Sequence, residues 1–331
     1  MLEGLQNIGN TCSINTLVQC VGHSATLRKW LLSMAEEPRA EGGAEGGEAG
    51  SGQLRLSMEL SRITREMWVE NKSLAPFRFI RAIFGCLGGI PRGEQHDMME
   101  LWMLLVDKMN SEIGRPHDAP RIEGGRDAEG FAKAWSGHNG RCMSPWLQQV
   151  QGWTMTRICC QACKKDAVMY EPFCCLGLDL YPGDDTKDMS RMFDSMFKEE
   201  QITERACDHC HGRAPATKNT HICMYPDVLV CSFGRFEMTA SGNTRKRHDA
   251  IDIPLHIKPA QIGRQYTLCS IGNHLGSLHG GHYYATAKNP DGSWHNYDDI
   301  CISPVHDIHA TIKNNKDAYM LFYELGAGTE A

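Results

Sequence analysis

The stretch GLQNIGNTCSINTLVQC, residues 4–20, sets two glycines and two asparagines before a cysteine and a helix-like pattern after it. The apolar residues that follow the cysteine recur at spacings of three and four: Ile14, Leu17, Val18 and Val21. This spacing predicts an amphipathic helix that begins at or near the cysteine. The cysteine therefore lies at the junction between a turn-forming segment and a helix.

Cys12 would lie in the first turn of that helix. Unpaired backbone N–H groups and the positive end of the helix dipole favour a thiolate over a thiol at this position. Cys12 is accordingly a candidate nucleophile. The alternative is a buried, inert cysteine that fills a gap in the core, which is the interpretation we favour for Cys20.

Composition restricts the class of protein. The 331 residues are 41% hydrophobic and 22% charged, which suits a globular chain with a substantial core. A formal net charge of −6 argues against nucleic acid as a partner. We find neither a membrane span nor a secretory signal, and we expect an intracellular and monomeric protein. Fifteen cysteines then suggest metal binding, catalysis or burial rather than disulfides.

The first part of the chain has helical patterns. Helical periodicity covers residues 53–71, 76–87 and 96–113, whereas the Glu/Gly-rich residues 41–52 read as a flexible surface loop. The last helical segment carries one apolar stripe, formed by Met98, Leu101, Trp102, Leu105 and Met109. The polar, glycine-rich residues 114–140 are predicted to loop out.

From Trp146 onward the pattern changes to short β-like segments separated by turn residues. These segments are GWTMTRI, FCCLGLDL, HICMYPDVLVCSF, QYTLCSIG, HYYATAK and AYMLFYE. Helices followed by strands predict an α+β fold.

Two Cys-x-x-Cys pairs give the strongest local signal: Cys160 with Cys163, and Cys207 with Cys210. Two such pairs can supply the four sulfur ligands of a tetrahedral zinc site. The intervening residues, 164–206, are longer than a short zinc ribbon allows, so a β insertion would separate the pairs. In a chain this rich in cysteine, the alternative is that the pairs arise by chance or no longer bind metal.

A second signal lies in residues 272–305, GNHLGSLHGGHYYATAKNPDGSWHNYDDICISPV. His282 follows two glycines and opens a β-like segment, and the turn NPDG leads into a returning strand that ends at Asp298 and Asp299. The hairpin would bring one of these carboxylates beside the imidazole. A carboxylate that orients a histidine, and a histidine that deprotonates a cysteine, are the groups that a cysteine nucleophile requires. The alternative is a histidine that is merely tolerated near glycines.

Together these motifs resemble the ubiquitin-specific protease family of deubiquitinating cysteine peptidases. GLQNIGNTC, EQHDMMEL, the two cysteine pairs, GHYYA, WHNYDD and AYMLFYE occur in that family's order over nearly the whole chain. The resemblance implies one catalytic domain over residues 1–331, with a papain-like core described as thumb, palm and zinc-ribbon fingers. Residues 1–145 would form the thumb, 146–235 the fingers with adjoining palm strands, and 236–331 the remaining palm.

The resemblance also implies roles for individual residues. Cys12 would be the nucleophile, His282 the base, Asp298 the orienting acid and Asn7 a donor to the oxyanion, with Asp299 in support. Of the two adjacent carboxylates, strand alternation favours only one as the partner of the imidazole.

Further residues follow from the same resemblance. Asn10 would support the oxyanion site, and the substrate-binding residues would be Gln95, Asp97, Gly281 and Tyr283. The cysteine pairs would hold one structural zinc per chain. Asp97 can equally be a carboxylate that stabilises the start of a helix.

The implied reaction is hydrolysis of the peptide or isopeptide bond after the C-terminal Gly-Gly of ubiquitin. Ser13 and His96 depart from the family pattern, so the identity of the modifier stays open between ubiquitin and a related protein. A catalytically weak, ubiquitin-binding scaffold is the alternative from another class. A nucleic-acid-binding zinc protein is a more distant one, since the cysteine pairs lie in no basic stretch.

Overall fold

The computed structural model describes most of the chain. The described residues are 3–34, 55–70, 74–87, 90–120, 122, 127–140, 142–181, 186–238, 242, 244–258, 265–277 and 280–326. The Glu/Gly-rich residues 41–52, predicted as a surface loop, lie outside them.

The helices are concentrated in the first half of the chain, as the sequence predicts. They are α1 (Cys12–His23), α2 (Ala25–Met34), α3 (Leu56–Arg65), α4 (Phe77–Cys86), α5 (Met98–Ile113), α6 (Ala128–Asn139), α7 (Pro145–Val150), α8 (Met189–Met196) and α9 (Ile308–Ile312). A π-helical turn, Glu66–Glu70, continues α3. Within the described ranges, no helix combines the length and hydrophobicity that crossing a bilayer requires.

The strands fill most of the second half. They are β1 (Arg115–Pro116), β2 (Cys142–Met143), β3 (Gly152–Cys160), β4 (Asp166–Phe173), β5 (Leu176–Leu178), β6 (Thr186–Asp188), β7 (Glu200–Ala206), β8 (Arg213–Met224), β9 (Val228–Phe233), β10 (Phe236–Met238), β11 (Thr244–Lys246), β12 (Ala250–Asp252), β13 (His256–Ile257), β14 (Tyr266–Ser277), β15 (Gly280–Lys288), β16 (Trp294–Asp298), β17 (Cys301–Val305) and β18 (Ala318–Leu325).

An eight-stranded sheet forms the centre of the molecule, in the order β17-β16-β15-β14-β18-β9-β5, with β13 added beside β14. Its strands pair antiparallel except β5 and β9, which are parallel. The pairing of β15 with β16 confirms the predicted hairpin around NPDG, with Lys288 opposite Trp294.

Helix α1 packs on this sheet against β14 and β15 and is buried along its whole length. Its polar side chains are therefore enclosed as well, so the amphipathic helix predicted from the sequence is instead central to the core. Gly272 of β14 permits this close packing, because a Cβ there would lie 2.5 Å from Met98 Sδ and 3.6 Å from Thr16 Cγ2.

Helix α5 confirms the predicted apolar stripe. All five of its members, Met98, Leu101, Trp102, Leu105 and Met109, are buried at 3% exposure or less. The indole N–H of Trp102 donates to the carbonyl of Cys174 at 2.9 Å, so the largest side chain of the stripe is also satisfied as a donor.

A second, four-stranded antiparallel sheet has the order β4-β3-β8-β7. The turns at its ends carry the two cysteine pairs, because β3 ends at Cys160 and β7 ends just before Cys207. The long spacing between the pairs contains β4 to β7, as expected from the sequence, and also helix α8.

The prediction that residues 114–140 loop out is wrong in part. Helix α6 lies within this segment and buries Phe131 and Trp135 at 1% exposure each. Frequent glycines and charged residues obscure its short apolar pattern in the sequence. The Asp127 side chain caps the helix by accepting from the N–H of Gly130.

Candidate active site

Cys12 is the first residue of α1, and the turn before it is organised by Asn7. The Asn7 side-chain oxygen accepts from the N–H of Gly9 at 3.1 Å and from the N–H and hydroxyl of Thr11 at 3.2 and 3.3 Å. Gly9 and Asn10 adopt positive φ angles of 114° and 53°. The crowding of Gly and Asn before the cysteine therefore has a backbone cause.

Burial dominates the environment of the Cys12 thiol, which is 3% exposed. Burial raises the pKa of Cys12, the backbone N–H of Tyr283 lowers it, the Asp299 carboxylate raises it, and the N–H of Ser13 lowers it. The net pKa is raised. This contradicts the expectation that the helix start alone favours a thiolate, because desolvation of the charged form outweighs the N–H groups. Cys12 consequently needs a base.

His282 and Asp298 form a close pair on the hairpin of β15 and β16. Their Nε2 and Oδ1 atoms are 2.5 Å apart, which leaves Nδ1 as the second ring nitrogen. Among the hydrogen bonds of the described residues, none joins the Cys12 thiol to this ring. His282 and Asp298 are thus paired with each other but not with Cys12, although Cys12 lies at the backbone N–H of Tyr283, the residue after His282.

Asp299 differs from the strand-alternation prediction. It lies beyond the end of β16 with a φ of 51°, so its carboxylate does not point away from that of Asp298. One ligand atom of each of His282, Asp298 and Asp299 lies within 4.8 Å of the others. Of these two carboxylates, only Asp298 is hydrogen bonded to the imidazole, as predicted, but Asp299 stays near it because it has left the strand rather than because of strand alternation.

The Asp299 carboxylate joins the hairpin to the segment around Cys12. Its Oδ2 accepts from the Asn7 amide at 3.0 Å and its Oδ1 from the Asn15 amide at 2.8 Å. Its backbone carbonyl accepts from the N–H of Leu5 at 3.0 Å. Asp299 thus fixes the orientation of the Asn7 amide.

Asn10 points elsewhere. Its amide donates to the carbonyl of Gly93 at 2.7 Å, in the loop before α5. This contact joins the Cys12 turn to that loop.

Asp97 caps α5 and accepts four hydrogen bonds. Its Oδ1 accepts from the N–H groups of Met99 and Glu100, and its Oδ2 accepts from the hydroxyls of Tyr319 at 2.6 Å and Tyr283 at 3.4 Å. Burial raises the pKa of both tyrosines, so both remain neutral donors. The helix-start interpretation of Asp97 is confirmed, and its carboxylate is already satisfied within the chain.

Gln95 contacts the residue immediately before His282. Its amide nitrogen donates to the Gly281 carbonyl at 2.7 Å, and its amide oxygen accepts from the Gly281 N–H at 2.9 Å. The loop before α5 and the strand that carries His282 are therefore hydrogen bonded to each other.

The four cysteines of the two pairs form a separate cluster. Their four Sγ atoms all lie within 4.8 Å of one another. The Sγ atoms of Cys163 and Cys207 are 3.7 Å apart. Four thiolates at a Zn–S distance of about 2.3 Å form a tetrahedron with an edge of about 3.8 Å, so the cluster fits zinc. Lys164 and His211, after the second cysteine of each pair, both adopt positive φ, which closes each turn around its two sulfurs.

The sequence missed two groups at the site. Asn15 lies three residues after Cys12, and a polar residue on a helix with so many apolar positions was the available signal. Tyr319 lies within the strand-like AYMLFYE and gave no signal beyond its strand pattern, because its hydroxyl meets Asp97 only in the folded chain.

Comparison with known proteins identifies the family. The family model of the ubiquitin carboxyl-terminal hydrolases matches residues 3–323. The chain belongs to this family. Ubiquitin carboxyl-terminal hydrolase 21 of Rattus norvegicus is 27% identical over 359 residues, an alignment that covers 97% of this chain and 61% of that protein. Ubiquitin carboxyl-terminal hydrolase 2 of Homo sapiens is 26% identical over 345 residues, covering 98% of this chain and 55% of that protein.

Solved structures of this ubiquitin carboxyl-terminal hydrolase fold agree. A SAGA DUB module of Ubp8, Sgf11, Sus1 and Sgf73 bound to monoubiquitin contains a chain that matches with a TM-score of 0.77 and 22% identity, covering 98% of this chain and 69% of that one. A chain of the same module bound to ubiquitin aldehyde matches with a TM-score of 0.75 and 22% identity, covering 98% of this chain and 70% of that one. The predicted α+β fold, a papain-like core with thumb, palm and zinc-ribbon fingers, is confirmed. The chain spans about 61% of the length of the hydrolase 21 relatives.

Proposed function

We propose that this chain is a cysteine-type deubiquitinase that hydrolyses the peptide or isopeptide bond after the C-terminal Gly-Gly of ubiquitin. The observation that carries the proposal is the convergence of a buried helix-start thiol, Cys12, with the His282–Asp298 pair on the neighbouring hairpin. Family membership and relatives named as ubiquitin carboxyl-terminal hydrolases support the same reaction.

In the proposed mechanism, His282 accepts the Cys12 proton on Nδ1 while Asp298 holds the Nε2–H. The resulting thiolate attacks the carbonyl carbon of the terminal glycine, and the carbonyl oxygen becomes an oxyanion. When the oxyanion collapses, the C–N bond breaks and the leaving amine takes the proton from His282. Water, deprotonated by His282, then adds to the thioester carbonyl. The C–S bond breaks, the modifier leaves as its carboxylic acid, and His282 returns the proton to the Cys12 sulfur.

The oxyanion is proposed to accept from the Asn7 amide and from backbone N–H groups at the start of α1. One Asn7 N–H is bonded to Asp299, which leaves the second for the oxyanion. Asp299 is therefore a positioning residue, and Asn10 supports the turn through the Gly93 carbonyl.

Gly281, Tyr283, Gln95 and Asp97 are proposed to border the channel for the modifier's C-terminal tail. Because the Asp97 carboxylate is satisfied by the chain itself, we propose that it attracts a basic tail by its charge and exchanges the longer Tyr283 contact, at 3.4 Å, for it. The Tyr319 contact, at 2.6 Å, would stay in place.

We propose that Cys160, Cys163, Cys207 and Cys210 hold one structural zinc ion. The 3.7 Å separation of two of their sulfurs supports this set of ligands. Four thiolates leave no coordination position for water, so the ion would stabilise the four-stranded sheet and take no part in the reaction.

We also propose an intracellular, monomeric enzyme divided into a thumb over residues 1–145, fingers with adjoining palm strands over 146–235 and the remaining palm over 236–331. The free state of all fifteen cysteines supports a reducing compartment. One copy of the chain carries every residue of the proposed site, which supports a monomer.

Turnover of a ubiquitin C-terminal fluorogenic amide tests the function, with Cys12→Ser as the variant and Cys20→Ser as the matched control on the same helix. We expect Cys12→Ser to lose hydrolysis but to retain ubiquitin binding, because a hydroxyl is a far weaker nucleophile than an activated thiol. Labelling by a cysteine-reactive ubiquitin probe should disappear with it. Probe labelling that maps to another cysteine would contradict the assignment.

A panel of such probes built on other Gly-Gly-ending modifiers identifies the modifier. If one of these probes labels the chain and the ubiquitin probe does not, that modifier replaces ubiquitin as the proposed substrate. Binding to ubiquitin without turnover or labelling would favour a scaffold.

A further inference from the structure

The hydrogen-bonded pair of Gln95 and Gly281 joins two parts of the chain that are 186 residues apart. Both hydrogen bonds run between one side-chain amide and one residue's backbone N–H and C=O. The amide of Gln95 therefore contacts β15 as the peptide group of a neighbouring strand would. No described strand takes this place, because β16 pairs with β15 only from Ala285 onward.

Gly281 is also closely surrounded by β14 residues. A Cβ on Gly281 would lie 2.1 Å from His274 Nε2 and 2.5 Å from the carbonyl of Leu275, so only glycine fits between them. His274 is 3% exposed, and its ring centroid is 4.5 Å from that of Tyr283. Its own carbonyl accepts from Lys246 Nζ at 2.5 Å, which fixes β14 at this point.

His282 depends on this arrangement for its position. Its side chain is 37% exposed, and its one described hydrogen bond goes to Asp298, whose side chain is 55% exposed. Two half-exposed side chains restrain each other but do not fix the ring relative to the buried Cys12. The backbone at Gly281, one residue before the imidazole, is held by both hydrogen bonds to Gln95, and the close approach of His274 leaves no room for a side chain there.

We propose that Gln95 is a positioning residue for His282, which it holds within reach of Cys12 through Gly281. This inference rests on the proposed hydrolase function. It replaces the expectation that Gln95 mainly binds substrate, since both ends of its amide are already bonded to Gly281. Small displacements of a reacting group lower the rate of a reaction strongly, whereas they leave binding of a distant surface nearly unchanged.

The chemistry of the amide gives the inference a specific signature. Glutamine offers one acceptor and one donor, which Gly281 N–H and C=O both require. In Gln95→Glu, an ionised carboxylate still accepts from the N–H but meets the carbonyl oxygen without a proton to share. The protonated acid again has a donor and an acceptor, so this variant should regain activity relative to the parent as the pH falls toward the carboxyl pKa of about 4.3.

The test compares Gln95→Ala, Gln95→Glu and the neighbouring control Glu94→Gln on the ubiquitin fluorogenic amide. We expect Gln95→Ala to lower kcat about tenfold, as for the loss of two hydrogen bonds that act on geometry, with KM nearly unchanged. The activity of Gln95→Glu relative to the parent should rise from pH 8 to pH 5. Glu94→Gln should match the parent in both. A raised KM with unchanged kcat would overturn the inference and return Gln95 to substrate binding.

Two measurements do not depend on turnover. Hydrogen exchange at the Gly281 amide should speed up in Gln95→Ala and not in Glu94→Gln, because that N–H loses its acceptor. Alkylation of Cys12 by iodoacetamide near neutral pH should slow in the same variant if His282 moves away. A parent chain that labels Cys12 normally but does not turn over ubiquitin would remove the proposed function alone. Unchanged exchange and labelling in Gln95→Ala would remove the positioning role alone.

Discussion

Replacing Asn7 by alanine separates two contributions of one side chain. The side-chain oxygen accepts three hydrogen bonds within the turn, from the N–H of Gly9 and from the N–H and hydroxyl of Thr11. The side-chain nitrogen donates to Asp299 and has a second N–H that we assign to the oxyanion. The oxygen therefore stabilises the folded turn, whereas the nitrogen is the group proposed to act in the reaction.

The two contributions differ in size. Three hydrogen bonds at 3.1 to 3.3 Å around an exposed side chain contribute about 2 kcal/mol to the free energy of unfolding. Loss of one oxyanion donor raises the barrier by roughly 3 to 4 kcal/mol in well-studied hydrolases, which is a hundredfold to thousandfold fall in kcat. Because the oxyanion exists only in the transition state, KM should change little.

The assay measures kcat, KM and the melting temperature of Asn7→Ala, with Thr11→Val as the control. Thr11→Val removes two hydrogen bonds of the turn, the one from its hydroxyl to Asn7 Oδ1 and the one from the N–H of Ile8 to its hydroxyl, and leaves both amide hydrogens of Asn7 in place. We expect Thr11→Val to melt earlier but to retain kcat per folded molecule. If Asn7→Ala also melts earlier and keeps full kcat, the oxyanion assignment is refuted, and backbone N–H groups at the start of α1 are then the remaining donors.

Three further outcomes follow from the site. Removal of the proposed zinc by a chelator, or the variant Cys207→Ser, should lower the melting temperature before it changes kcat. The control Cys159→Ser, outside the four-cysteine cluster, should change neither quantity, and a metal-free protein with normal stability and activity would contradict the zinc proposal. Asp298→Ala should lower kcat more than Asp299→Ala, since only the former removes the partner of the imidazole, and the opposite ranking would exchange their roles. Because burial raises the pKa of Cys12, its alkylation rate should climb with pH through the range above 8; a rate already constant at pH 6 would indicate a preformed ion pair instead.

The sequence predicted the elements whose periodicity reflects burial on one side. The stripe on α5 and the hairpin of β15 and β16 are examples, since each follows from local spacing. The burial of α1 on all sides could not be predicted, because the packing partners in β14 and β15 follow it by more than two hundred residues.

The site shows the same division. Motif resemblance predicted the pair of His282 and Asp298, but the position of Asp299 required the actual φ angle at the end of β16. The raised pKa of Cys12 likewise depends on how deeply α1 is buried, which spacing does not report. Local patterns thus predicted the pairing of His282 with Asp298, whereas tertiary packing decided the pKa of Cys12 and the orientation of Asp299.

The burial of α1 beneath β14 and β15 also has a consequence for biosynthesis. During translation Cys12 leaves the ribosome more than two hundred residues before the strands that cover its helix and carry His282. Until they emerge, the apolar residues of α1 lack their partners in the sheet, and the thiol has no base. A nascent chain that ends before β14 is therefore incompletely folded and lacks the proposed base, so the strands that complete the core also complete the proposed site.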